Sequence, residues 1–201
     1  MKIIFDNRYT RLGRHDGISR YGARLVEELG KPRPGYGFLA EEGGAVAGKD
    51  ATHRFIIDPL DGTTNFMHGV PHFAISIALE REGQLVAGVI YNPVTDDLFT
   101  AEKGHGAYLN NRRLRVAGRK ELPTSLIATG LPWLGRDGAE RAIAETAAVL
   151  GVTSGIRRFG AASLDMAWVA AGRFDGYWER GLQPWDLAAG DLIVREAGGM
   201  V

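Results

Sequence analysis

The chain of 201 residues has no cysteine, which excludes disulfides, thiolate-bound zinc and a cysteine nucleophile. No apolar run reaches the roughly 18 residues that a membrane-spanning helix needs, so no membrane partner is expected. The N-terminus lacks the apolar stretch and small-residue cleavage site of a secretory signal, and a cytoplasmic protein is the expectation. Neither sign of charge is in excess, with Lys plus Arg and Asp plus Glu at 24 each. That speaks against a strongly basic nucleic-acid surface. What is abundant is glycine, at 28 residues, which implies many tight turns without any visible repeat. A hydrophobic content of 45% is enough for a sizeable core in one domain or a small two-layer enzyme.

The chain is organised around Phe55-Ile56-Ile57-Asp58-Pro59-Leu60-Asp61-Gly62-Thr63-Thr64-Asn65-Phe66. Phe55 to Ile57 is an apolar run of strand type. Pro59 fixes its own φ and has no N–H, so the chain is expected to leave the ladder there. Gly62 to Asn65 suits a turn and then the start of a helix. Two carboxylates, Asp58 and Asp61, would then stand at a strand end, facing backbone N–H groups at a helix start. Carboxylates so spaced can share a hard cation such as Mg²⁺. A helix start with a glycine and two hydroxyls suits a phosphate. Side by side, the two imply metal-assisted phosphoryl chemistry. Taken alone, the same residues also fit an ordinary Asp-Pro and Asp-Gly turn with a helix cap.

Around this stretch the pattern switches between helical and strand spacing. Lys2 to Phe5 reads as a strand, followed by a glycine-containing loop. A helix follows, with apolar positions at Ile18, Tyr21, Leu25, Val26 and Leu29 and a stop at Gly30. Pro32 and Pro34 break the chain. Tyr36 to Leu39 reads as a strand leading to Glu41-Glu42, which either join Asp58 and Asp61 around metal or lie in solvent. Phe73–Leu79, Leu85–Tyr91, Asp97–Glu102 and Ala107–Leu109 predict an antiparallel meander. Leu126 to Gly130 is a further strand, and Arg136 to Leu150 an amphipathic helix. Gly155 to Gly160 leads into a helix at Ala161–Ala170, whose small first residues permit close approach. Phe174–Glu179 reads as a strand and Trp185–Glu196 as a helix stopped by Gly198-Gly199. Arg157 and Arg158 either meet an anionic substrate or lie in solvent. Asp186 is either an N-cap or a third carboxylate at a metal. His53, His68 and His72 read as structural or loop residues.

At Met1–Tyr9 and His15–Tyr21 the chain is similar to the start of bacterial glycosyltransferases with two Rossmann domains. The same residues fit a packing βα unit without chemistry. A broader resemblance rests on five motifs that occur in one order. They are Ala40-Glu41-Glu42, Ile57 to Phe66, Gly160-Ala161-Ala162-Ser163, Trp185-Asp186-Leu187-Ala188-Ala189-Gly190 and Glu196-Ala197-Gly198-Gly199. Over residues 34–201 the chain resembles the inositol monophosphatase family of Mg²⁺-dependent sugar phosphatases, in its bacterial form. The fold implied is α/β (α+β layered), the α/β/α/β/α sandwich of the sugar phosphatases, incomplete here at both ends.

The resemblance implies roles residue by residue. Glu41, Asp58 and the backbone carbonyl of Leu60 would hold one Mg²⁺, and Asp58, Asp61 and Asp186 a second. A third, weaker ion would also use Glu41. Gly62 and Thr63 would bind phosphate through backbone N–H groups, with Thr63 also orienting the attacking water. Ala162 and Glu179 would meet substrate hydroxyls in a pocket shaped by Gly160 and Ala161. The implied reaction is in-line attack on phosphorus by water that the ions activate. Oxygen ligands and few imidazoles favour Mg²⁺ over zinc.

The chain also departs from the family. Residues 1–33 do not supply the loop lysine, or the aspartate that pairs with the threonine, found at the family's start. Family chains continue well past the Glu-Ala-Gly-Gly motif. The sequence therefore reads as a joined or truncated gene, with a glycosyltransferase-like segment at 1–33 and a phosphatase-like domain at 34–201. Missing elements would expose apolar faces and strand edges, so association is expected. Loss of a general-base partner for Thr63 would cost about 10²–10⁴ in rate. The expected function is Mg²⁺-dependent hydrolysis of inositol monophosphate or a related polyol or sugar phosphate, in a possible homodimer. The alternative is an impaired phosphatase fragment with a binding or regulatory role.

Overall fold

The computed structural model describes residues 16–132 and 138–201. The chain opens with helix α1 (Asp16–Gly30). Strands β1 (Tyr36–Ala40), β2 (Gly44–Val46) and β3 (Asp50–Asp61) follow, then the short helix α2 (Thr63–Met67). The meander is β4 (Ala74–Arg81), β5 (Gln84–Asn92), β6 (Asp97–Glu102), β7 (Gly106–Leu109) and β8 (Arg112–Arg113). Next come β9 (Leu126–Thr129), α3 (Ala139–Leu150), β10 (Gly155–Arg157), α4 (Ala162–Ala170), β11 (Gly176–Trp178) and α5 (Pro184–Glu196).

The strands make two sheets. The larger runs β2-β1-β3-β4-β5-β6-β7-β8, antiparallel except for the parallel pair β1 and β3. The smaller runs β10-β9-β11 and is parallel throughout. Successive strand residues point to opposite faces. Ile57, Ile75 and Ile77 therefore face α1 and bury Leu25 and Leu29. Ile56, Ala74, Ala78 and Ile90 face the other way, against Leu164 and Ala167 of α4 and Ala189 and Ile193 of α5. Helix α4 also meets β9 and β11, and α3 packs on β10. The order is α1, large sheet, α4 with α5, small sheet, α3, which is the five-layer α/β/α/β/α arrangement.

Several elements differ from the sequence expectations. Strand β3 does not stop at Pro59. Its pairing with β4 breaks between Asp58 and Asp61 and resumes at Asp61 opposite Ala74. A proline that cannot donate is accommodated in a bulge, even in a strand paired on both sides. Strands β2, β8 and β10 are additions to the expected set. Each has only two or three residues, too few to show a period. Strand β11 is shorter than Phe174–Glu179, because Phe174 is buried in an aromatic cluster with Phe159 and Trp168. The strand at Lys2–Phe5, its loop, and Arg136 at the head of the third predicted helix lie outside the described residues. Helix α1 shares its core with β1, β3 and β4.

Candidate active site

The bulge in β3 builds the site. Asp58 is buried with 2% of its surface exposed, and its Oδ1 accepts the Leu60 N–H at 2.9 Å. The bulge turns Asp61 the other way along the strand, toward the N-terminus of α4. There Asp61 accepts the N–H groups of Ala162 (3.2 Å) and Ser163 (2.7 Å) and the Ser163 hydroxyl. A carboxylate at that position satisfies orphan N–H groups and meets the positive end of the helix dipole. After Asp61, Gly62 takes φ +87, which lets the chain reverse into α2. A Cβ there would lie 3.0 Å from the His72 carbonyl oxygen and 3.3 Å from the Ala161 side chain. The Thr63 hydroxyl donates to the Leu60 carbonyl at 2.9 Å. The Asn65 amide donates to the carbonyls of His72 (2.8 Å) and Phe159 (2.7 Å), tying α2 to the loop that enters α4.

Glu41 and Asp186 come from other elements. Glu41 follows β1, and its N–H donates to the Ile57 carbonyl, extending the parallel pairing next to Asp58. The residue is exposed overall, and its carboxyl lies close enough to Asp58 for the two to act on one another. Asp186 is not the N-cap of α5. Gln183 is, and Asp186 sits in the first turn with Oδ2 accepting the Gln183 N–H at 2.7 Å. Ser76, opposite Asp58 in the register, donates to the Trp185 carbonyl at 3.3 Å and so ties β4 to the head of α5.

The four carboxylates act on one another. Burial, then Asp61 and Glu41, push Asp58 up to about 9. Burial pushes Asp61 up to about 7, against its bonds from Ser163. Burial also raises Glu41 and Asp186, with Asp186 adding to the rise at Glu41. Among the described residues, none of the four pairs with an arginine, lysine or histidine. A cluster of carboxyl oxygen donors that holds protons for want of a cation suits a hard divalent ion, which would replace them. No three of the acids, among the described residues, already close on a single point. Asp61 is held on α4 and Asp186 on Gln183, so the donors are near one another but turned to backbone N–H groups.

The predicted substrate residues border this cluster. Gly160 (φ +80), Ala161 and Ala162 form the tight entry to α4, and Ala162 gives its N–H to Asp61. Glu179 lies just past β11 and acts on Asp165, while Asp186 acts on Glu179. Arg158 is exposed, donates to the Leu131 carbonyl at 3.3 Å, and offsets the charge of both Glu179 and Asp165. It sits at the rim of the site and is not merely solvated. His53 bonds Asp50 and stacks on Tyr36, and His72 is buried against Phe159 and Trp168.

Three residues of the site escape sequence reasoning. Ser163 clamps Asp61, and its place after Gly160-Ala161-Ala162 is the available signal. Ser76 leaves no signal beyond lying in a buried strand. Asp165 is 1% exposed and, among the described residues, neither carboxyl oxygen has a hydrogen-bond partner; burial pushes it up to about 8. A carboxylate inside an apolar helix pattern is the visible anomaly.

A model of the inositol monophosphatase family matches residues 20–201. The inositol-1-monophosphatase of Rhizobium meliloti is 61% identical over 181 residues, covering 90% of this chain and 68% of that protein. A protein of Pseudomonas aeruginosa named Nus factor SuhB is 51% identical over 181 residues, covering 88% of this chain and 67% of its own length. The crystal structure of extragenic suppressor protein suhB from Bartonella henselae superposes with a TM-score of 0.89 at 55% identity. It covers 94% of this chain and 74% of that one. The chain spans about two thirds of the length of these curated relatives. The match begins at Arg20, inside α1, and so takes in the helix ahead of Pro34. The glycosyltransferase-like start and the fusion read from it are not supported.

Proposed function

This chain belongs to the inositol monophosphatase family, and from that premise we propose that it hydrolyses inositol monophosphate or a related polyol phosphate with Mg²⁺. The observation that carries the reading is the cluster of four interacting carboxyl groups, buried Asp58 and Asp61 with the more exposed Glu41 and Asp186, which has no basic partner among the described residues. In this reading Glu41, Asp58 and the Leu60 carbonyl hold one ion, and Asp58, Asp61 and Asp186 a second. Bound cations would supply charge neutralisation at the phosphate and activation of water.

The chain's own residues do the rest. Gly62 leaves the backbone at the head of α2 open to a phosphate, which its N–H and that of Thr63 would bind. Thr63, fixed on the Leu60 carbonyl, keeps an oxygen lone pair to orient a water. Gly160, Ala161 and Ala162 keep Cβ bulk low where the substrate ring would lie. Glu179 accepts a substrate hydroxyl. Buried Pro59 and Leu60 exclude bulk water beneath the carboxylates.

The test is phosphate release from inositol 1-phosphate with and without millimolar Mg²⁺, beside Asp58→Asn. Mg²⁺-dependent release that disappears in the variant is the expected result. No release with Mg²⁺ binding retained in calorimetry would instead support the impaired-phosphatase reading.

A further inference from the structure

We propose that Gly130 and Tyr177 are positioning residues that hold Glu179 in one setting and thereby select substrates with a hydroxyl in reach of its carboxylate. The inference rests on the reading that Glu179 meets a substrate hydroxyl. The small sheet has β9 at its centre, with β10 and β11 on either side. In a parallel sheet the crevice at the carboxyl ends of such strands is where ligands bind. Gly130, Arg158 and Glu179 immediately follow the last residues of β9, β10 and β11. The register pairs Ala128 with Tyr177 and Thr129 with Trp178, so Gly130 and Glu179 follow as neighbours one step beyond the ladder.

Two contacts fix the carboxylate there. A Cβ on Gly130 would fall inside the Glu179 carboxyl group, on its Cδ and both oxygens. The space that any other residue would fill is occupied by the Glu179 head. Tyr177, two residues back and therefore on the same face, donates its hydroxyl to Glu179 Oε2 at 2.6 Å. That leaves Oε1 as the acceptor for a substrate hydroxyl. Burial raises Glu179, and the Tyr177 hydroxyl and then Arg158, just past β10, oppose that rise. A substrate without a hydroxyl in reach makes no use of this arrangement.

The test combines steady-state kinetics with thermal melts of Gly130→Ala and Tyr177→Phe, each alone and with Glu179→Ala. The substrates are inositol 1-phosphate and p-nitrophenyl phosphate, which has no hydroxyl. Each single variant is expected to raise KM for inositol 1-phosphate about three- to tenfold, the scale of one hydrogen bond. The kcat and the hydrolysis of p-nitrophenyl phosphate should stay within about twofold. With Glu179→Ala neither variant should add to KM. Gly130→Ala should then melt no lower than Glu179→Ala alone, because the vacated space takes the Cβ. Equal losses on both substrates would overturn the proposal, as would a Gly130→Ala melting loss that persists without Glu179. If wild type cleaves p-nitrophenyl phosphate but not inositol 1-phosphate, the functional reading fails, and the melts still decide the positioning.

Discussion

Asp61 and Ser163 show how a single contact can join two roles. The Ser163 hydroxyl and N–H both reach Asp61 Oδ2, so the carboxylate that would bind metal also locks the start of α4. Ser163→Ala keeps the backbone donors and removes the hydroxyl. It is expected to cost about 10–100-fold in Mg²⁺ affinity or activity, the scale for partners that orient a ligand. Calorimetric Mg²⁺ titration and phosphate release would check it. The folded yield should be unchanged, because the substitution only trims a hydroxyl and leaves the Ala162 and Ser163 backbone donors to Asp61 in place.

At the scale of elements, the site is an assembly of ends: β1, β3, α2, α4, β11 and α5 each contribute one to three residues at or just beyond an end. Asn65 holds two of these ends together through two carbonyls. Asn65→Ala leaves both carbonyls without that donor and is expected to cost about 1–3 kcal/mol, read as a lowered Tm. Gly62→Ala should displace α2, since φ +87 is disfavoured for alanine and its Cβ would press on the His72 carbonyl. KM should rise more than kcat falls if this end seats phosphate. Helix α1 tests the packing of the large sheet. Leu29→Ala removes a buried side chain facing Phe38 and Ile57 and should cost about 2–5 kcal/mol. One cooperative transition at lower Tm is expected. A melt that loses only a small helical fraction first would mean α1 is a separate unit.

For the whole molecule, the buried acids set the response to pH. Asp58 (about 9), Asp165 (about 8) and Asp61 (about 7) lie above the ordinary carboxylate value near 3.9 of an unfolded chain. Folded chains therefore hold protons that unfolded chains release. Stability is fully present below about pH 4 and is lost as pH rises through the folded values, by up to about 1.4 kcal/mol per pH unit for each titrating group. Metal-free protein should melt lower at pH 8 than at pH 6. Mg²⁺ replaces those protons, so its stabilisation should be larger at pH 8 than at pH 6. A differential-scanning melt at both pH values, with and without Mg²⁺, reads the difference. Asp58→Asn should be more stable than wild type at pH 8 without metal and respond less to Mg²⁺.

The acids and the chain reversal of the site are legible in the linear sequence, because their chemistry is local. Asp58-Pro59-Leu60-Asp61-Gly62-Thr63 states two carboxylates, a chain reversal and a hydroxyl within six positions. Trp185-Asp186 and Ala40-Glu41-Glu42 mark two further acids. The meander is legible too, since its longer strands show their period and their turns carry glycine or asparagine. Only the tertiary structure decided how these parts act. The three-residue strands β2 and β10 take their conformation from neighbours and not from a period of their own. The bulge at Pro59 exists because β4 pairs on both sides of it, and that bulge turns Asp58 and Asp61 to different partners. Ser163 meets Asp61 across 102 positions of chain, and Glu179 fills the space over Gly130 from another strand. Such contacts follow from strand order and close packing, which a linear pattern of residue types does not contain.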